Sequence, residues 1–282
     1  MTICIAAAVY DGIVFAADSA STLVGKGPQG DTQITNVYKN GNKVFNLVRG
    51  LPLVAMTCGM GNFGRAPIAT TTKDLRKLLS TSGNDYSLDR DNYTLEDVAT
   101  KTQKFFKALY EKLDPKPENP HTFQYWVGGY GSHSDLHEIW HFRMENGTAV
   151  DATRCGEPGD SQLIWGGQID AVHRLVTGFT PNIAIALEQA GMAKDNIQGL
   201  LKSARPFTQA PLVNDAMPIT DAIELADFLA DTTKRFVRFL PGADTVGGEI
   251  DIATVTRHER FKWIRRKHYY SSQLNPSEID HV

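Results

Sequence analysis

The sequence predicts an α+β fold in which helices pack on antiparallel sheets. Apolar strand-like runs come in clusters instead of alternating one for one with helices, which argues against a parallel βαβ sheet. Turn signals at Asp11-Gly12 and Arg49-Gly50 each join two apolar runs into a hairpin. Two long segments, 95–113 and 221–239, repeat apolar residues at spacings of three and four, the period of an amphipathic helix.

The elements follow in order. Residues 2–9 and 13–17 are apolar without alternation, so the first hairpin reads as two strands buried on both faces. Asp18 ends the second run. Residues 25–42 are polar and Gly-rich and read as a long loop around a short strand at 32–38. A second hairpin spans 43–48 and 51–57. In the helix at 95–113, Leu95, Val98, Thr102, Phe105, Leu109 and Leu113 form the stripe. Thr94 and Asp97 approximate a capping box, and Pro115 stops the helix. Strands are expected at 122–128 and 136–142, then a turn at Asn146-Gly147. A short strand at 163–165 ends at Gly166-Gly167, with a helix from about Gln168. Helical patterns recur at 183–190 and 197–204. After the helix at 221–239, residues 249–256 read as a strand that 261–264 can pair with. The organisation expected is one domain over 1–256, with a helical insertion at about 177–213 and a C-terminal extension over 257–282.

Composition narrows the function. The chain has 282 residues and a formal charge of −3, so it lacks the broad basic field of a nucleic-acid binder. Its longest apolar runs fall far short of the roughly 20 residues that span a bilayer. Met1 is followed at once by an apolar segment, without the basic start of a signal peptide. Cys4, Cys58 and Cys155 are too few and scattered for a disulfide framework or a zinc site. The expectation is a cytoplasmic protein that handles small molecules or peptides, with no nucleic acid and no membrane as partner.

Two motifs invite functional readings that their context disfavours. Gly59 to Gly64 matches GxGxxG, but the strand before it sits in an antiparallel hairpin. The acidic residue wanted about 20 positions on falls in a loop near Asp85. His133, His137 and His141 are spaced by four. Leu136, Trp140 and Phe142 make that segment an alternating strand, so the histidines read as a solvated face rather than metal ligands.

The candidate chemistry lies at the start. If Met1 is removed, Thr2 carries a hydroxyl nucleophile and its own α-amine as base, with a reference pKa of about 7.7–8.0. Asp18 closes the strand beside it, and a buried carboxylate calls for a cationic partner. Lys43 begins the next hairpin and can supply that charge, which would also depress the amine pKa. Gly59, at the end of the following strand, can offer its NH to an oxyanion.

These residues resemble the β-type subunits of the proteasome family, which are N-terminal-nucleophile (Ntn) hydrolases. Thr2-Ile3-Cys4-Ile5-Ala6 is similar to the mature start of active subunits. Asp11-Gly12-Ile13-Val14-Phe15-Ala16-Ala17-Asp18-Ser19 resembles their DG-[VI]-V-x-AAD-[ST] signature, and Asn42-Lys43-Val44-Phe45 and Thr57-Cys58-Gly59 resemble the lysine strand and the oxyanion segment. The likeness covers about 2–256. It implies a four-layer αββα sandwich of two antiparallel sheets flanked by helices, and threonine-type peptidase activity without cofactor or metal. It also implies a peptide or unfolded-protein substrate and a ring-like homo-oligomer, and leaves an unfoldase partner open. Thr22 falls on its substrate-strand threonine, and Ser21, Gly41, Thr57 and Gly61 fall where its side-chain pocket would be. Asp244 stands near its late aspartate, about one residue out of register. Gly167 replaces a supporting serine, which fits the alternative of an inactive assembly subunit; an amidase acting on a small acyl compound is a further alternative.

Overall fold

The computed structural model describes residues 2–29, 31–118 and 121–268. The chain runs through β1 (Ile3–Val9), β2 (Gly12–Ala17), β3 (Ser21–Lys26), β4 (Thr32–Tyr38), β5 (Val44–Asn46), β6 (Leu53–Gly59), β7 (Asn62–Phe63), β8 (Ala66–Pro67), α1 (Ile68–Ser80) and α2 (Leu95–Glu111). It continues through β9 (Thr122–Tyr130), β10 (His137–Glu145), β11 (Thr148–Arg154), β12 (Gln162–Gly167), α3 (Asp170–Thr177), α4 (Ile183–Gln189), α5 (Lys194–Thr208), α6 (Ile219–Arg238), β13 (Asp251–Thr256) and β14 (Arg260–Arg265). The class is mixed α+β with antiparallel sheets, as expected.

Two five-stranded sheets dominate, in the orders β12-β1-β2-β13-β14 and β11-β10-β9-β6-β5, and every pairing within them is antiparallel. The absence of alternation in β1 and β2 has a direct cause: every residue of both strands is buried. One face, with Cys4, Ala6, Phe15 and Ala17, shares a cluster with Val54, Met56 and Trp126 of the other sheet. The opposite face, with Ile3, Ile5, Val14 and Ala16, packs on Val172 and Val176 of α3 and Ala226 and Leu229 of α6. The second sheet turns Phe123, Tyr125 and Phe142 to Leu75 of α1 and Phe105 and Phe106 of α2. Thr94 caps α2 by accepting from the Asp97 amide at 3.1 Å. The Asp97 carboxylate pairs with Lys101 instead of closing the box.

Several expectations are corrected. The first hairpin turns at Tyr10-Asp11, because Gly12 already lies in the ladder, opposite Val9 and Thr256. Strand β3, which the sequence reading did not assign, starts before the stretch read as loop, runs into it at Gly25 and Lys26, and pairs with the expected β4 as a separate ribbon. Helix α1 and strand β11 have no counterpart in the sequence reading. Of the three histidines read as a solvated face, His133 is exposed but His137 and His141 are not. His137 is 2% exposed with Nε2 2.8 Å from the Val9 carbonyl oxygen, and His141 stacks on Trp126 at 4.7 Å. Burial lowers the pKa of both, that of His141 to about 4. As expected, the run at 261–264 pairs with β13, within β14. Among the described residues, no helix is long and apolar enough to cross a membrane.

Candidate active site

The two-residue turn sets the register of β1 on β2, and that register carries Asp18 to the residue after Thr2. The Asp18 amide donates to the Ile3 carbonyl oxygen at 3.3 Å, and the Ile3 amide returns to Asp18 Oδ1 at 3.1 Å. The same oxygen accepts from Lys43 Nζ at 2.7 Å. Oδ2 accepts from the amides of Ala20 at 3.0 Å and Gly247 at 2.9 Å. Asp18 is 1% exposed and Lys43 7%, so the pair is desolvated, and four donors on one carboxylate make its burial tenable.

Lys43 reaches this point through the second sheet. Its carbonyl oxygen accepts from the Thr57 amide at 3.0 Å, one step beyond the β5–β6 ladder, which sets Lys43 beside the end of β6. The Cys4 thiol joins the sheets below by donating to the Thr57 carbonyl oxygen at 3.3 Å, and burial raises the Cys4 pKa well above the ordinary thiol range. Gly59 ends β6 with φ at +98°, and a Cβ there would stand 2.1 Å from the Thr122 carbonyl oxygen. Only glycine fits.

Thr2, Lys43 and Gly59 open onto one cavity of about 240 Å³. Ser21, Thr22, Gly41, Thr57 and Gly61 also line it, so the five residues expected on the substrate side and three of those expected to do chemistry share one space. Asp18 lies behind Lys43. Lys43 is the only charged residue in the lining among the described residues. The Thr57 hydroxyl is turned to the Gln124 carbonyl oxygen at 2.9 Å. Asp244 is not in the lining. Its Oδ1 is buried without a hydrogen-bond partner among the described residues, as is Thr245 Oγ1, and its carboxylate oxygens lie 3.8 and 3.9 Å from where a Gly247 Cβ would stand.

Contacts that the sequence reading did not assign come from far along the chain. The Thr2 carbonyl oxygen accepts from the Gln168 amide at 2.6 Å, and β12 runs beside β1 with Gly167 opposite Ile3. Gly167 has φ at +87°, and a Cβ would come within 2.0 Å of the Thr2 carbonyl oxygen. The position of the missing serine is therefore one where this backbone admits no side chain. Gly247, also unassigned, binds Asp18. The GxGxxG stretch leads from β6 into the small β7–β8 ribbon, and Gly59 and Gly61 face the cavity. Among the described residues, no three His, Cys, Asp or Glu side chains are grouped to hold a metal ion.

The fold has counterparts among solved structures. The chain is similar to Anbu. The Anbu (Gly-1) mutant from Hyphomicrobium sp. strain MC1 matches with a TM-score of 0.54 and 15% identity, over 95% of this chain and 86% of that one. Anbu from Yersinia bercovieri, described as an ancestral beta-subunit, matches with a TM-score of 0.51 and 13% identity, over 95% and 89%. No family model matches the chain, and no curated protein matches it. The reading of the chain as a member of the proteasome β-type subunit family is thereby corrected. The likeness to Anbu shows a shared fold.

Proposed function

We propose that the chain is an Ntn hydrolase that cleaves peptide bonds with Thr2 as nucleophile once Met1 has been removed. In this reading the sheets and their flanking helices form a four-layer αββα sandwich, which the three hydrophobic clusters support. Thr2 Oγ attacks the carbonyl carbon, and the Thr2 amine accepts the hydroxyl proton. Lys43, held by Asp18, places a fixed positive charge beside that amine and favours its neutral, accepting form. The Gly59 NH receives the oxyanion, and loss of one such donor typically costs about 10²–10³ in kcat. The amine returns the proton to the leaving nitrogen, and water hydrolyses the ester to restore Thr2. Ser21, Thr22, Thr57 and Gly61 hold the substrate beside the nucleophile. Asp244 is assigned a supporting role outside the cavity. The beta-subunit description of the Yersinia Anbu supports a homo-oligomer.

The observation that carries this reading is the desolvated Lys43–Asp18 pair, bound by the amide of the residue after Thr2 and opening on the cavity that Thr2 and Gly59 share. Intact mass of the purified protein, with and without a threonine-directed covalent inhibitor, tests it. The expected result is a chain lacking Met1 that gains one inhibitor, while Thr2→Ala gains none. Retained Met1 with no labelling, or equal labelling of Thr2→Ala, overturns the mechanism.

A further inference from the structure

A second, larger cavity of about 710 Å³ lies across β5 from the first, and Asn42 lines both. Three of its cations, Lys73, Arg76 and Lys77, come from α1. Arg49, Arg90 and Arg266 come from three other segments. No Asp or Glu lines it among the described residues, and Lys73, Arg76, Lys77, Arg90 and Arg266 form no ion pair among them. Lys73 and Lys77 stand four apart on one helix face, a like-charge spacing that destabilises an isolated helix. Six cations line this space, and every charged side chain in its described lining is positive.

The guanidinium groups are also held in place. Arg76 is half-buried, with Nη2 donating to the Asn46 carbonyl oxygen and Nε buried without a partner. Burial, Arg49 and Arg266 lower its pKa, so it stands in the positive field of its neighbours. Arg90 Nη2 donates to the Arg49 carbonyl oxygen at 3.0 Å, and Arg266 stacks over Trp263 at 4.8 Å. Three planar groups anchored on separate elements around one space are preorganised for a ligand with several oxygen-rich charges. A single carboxylate would leave most of the field unmet. Tetrahedral phosphates match the fork of each guanidinium and offer several charges in a short length.

We propose that this cavity binds an oligophosphate, the triphosphate chain either free or carried by a nucleoside. Calorimetric titration of the full chain with sodium triphosphate, ATP and citrate at matched ionic strength tests it. Triphosphate is expected to bind one per chain and to weaken as salt is raised. Citrate is expected to bind about tenfold or more weakly than triphosphate. Lys73→Gln/Lys77→Gln, at two exposed positions, is expected to weaken triphosphate about tenfold or more. Arg266→Gln, on a different element, should act in the same direction. ATP binding more tightly than triphosphate assigns the chain to a nucleotide; weaker ATP assigns it to the free anion. Absence of triphosphate binding at low salt, citrate binding equally well, or affinity unchanged in both variants overturns the proposal.

Discussion

Lys43 Nζ and Asp18 Oδ1 meet at 2.7 Å with side chains 8% and 0% exposed, an ion pair formed across two sheets and out of contact with bulk water. Such a pair contributes little net stability, because desolvation offsets attraction, but breaking it leaves a buried charge. Lys43→Met is therefore expected to cost about 3–5 kcal/mol in denaturant unfolding and to abolish labelling of Thr2. Asp18→Asn/Lys43→Met should be less destabilised than the sum of the single variants, because neither charge is then left alone. Strict additivity would place the two side chains in independent environments.

Gly167→Ala tests the backbone roof over Thr2. The added methyl would meet the Thr2 carbonyl oxygen at 2.0 Å, at a backbone angle that already disfavours a side chain. Relief requires β12 to move away and the Gln168–Thr2 hydrogen bond to open. The expected outcome is a loss of more than about 1 kcal/mol by denaturant titration, with slower inhibitor labelling in the folded protein. Unchanged labelling would show that this roof does not position Thr2.

Phe106 allows core stability to be separated from the site. Its ring is fully buried, with centroids 4.9 Å from both Phe123 and Tyr125. It lies on the α2 side of the second sheet, away from the cavity lining. Phe106→Ala should cost about 3–5 kcal/mol by cavity formation. Labelling per folded molecule should stay at the unsubstituted level, and a proportional fall would tie this core to the site.

Those effects divide along the line between what the sequence reveals and what it does not. Thr2, Asp18, Lys43 and Gly59 are legible because short turns and wholly apolar strands fix their pairings locally. The turn itself is misplaced by one residue, since Gly12 reads as a turn glycine but serves in the ladder. Helix α1 is hidden because Thr70, Thr71 and Thr72 are weak helix formers, and Pro67 before it offers no capping side chain. Tertiary burial of Thr71, Thr72, Leu75 and Leu79 holds it instead. Strand β3 is held by pairing with β4 and leaves Leu23 and Val24 exposed, so it lacks the pattern of a buried strand. The Gly247 amide on Asp18 and the Gln168 amide on Thr2 are main-chain contacts over long separations, and backbone groups carry no residue signature to read.

The buried histidines give the fold a pH dependence of definite sign. An unfolded histidine titrates near about pH 6.5, whereas burial first and Arg143 second lower folded His141 to about 4. Between those values the unfolded chain binds a proton that the folded site refuses. The contribution of His141 is thus intact above about pH 6.5 and is lost as pH falls toward about 4, and His137, lowered in the same direction, adds to the slope. His141→Phe keeps a ring against Trp126 and removes Nε2, which is buried without a partner among the described residues. Thermal unfolding of both proteins at about pH 7 and about pH 4.5 should show a smaller acid-induced drop in Tm for the variant. Equal drops would mean that His141 titrates alike in the folded and unfolded chains and that its stacked site is open to protonation.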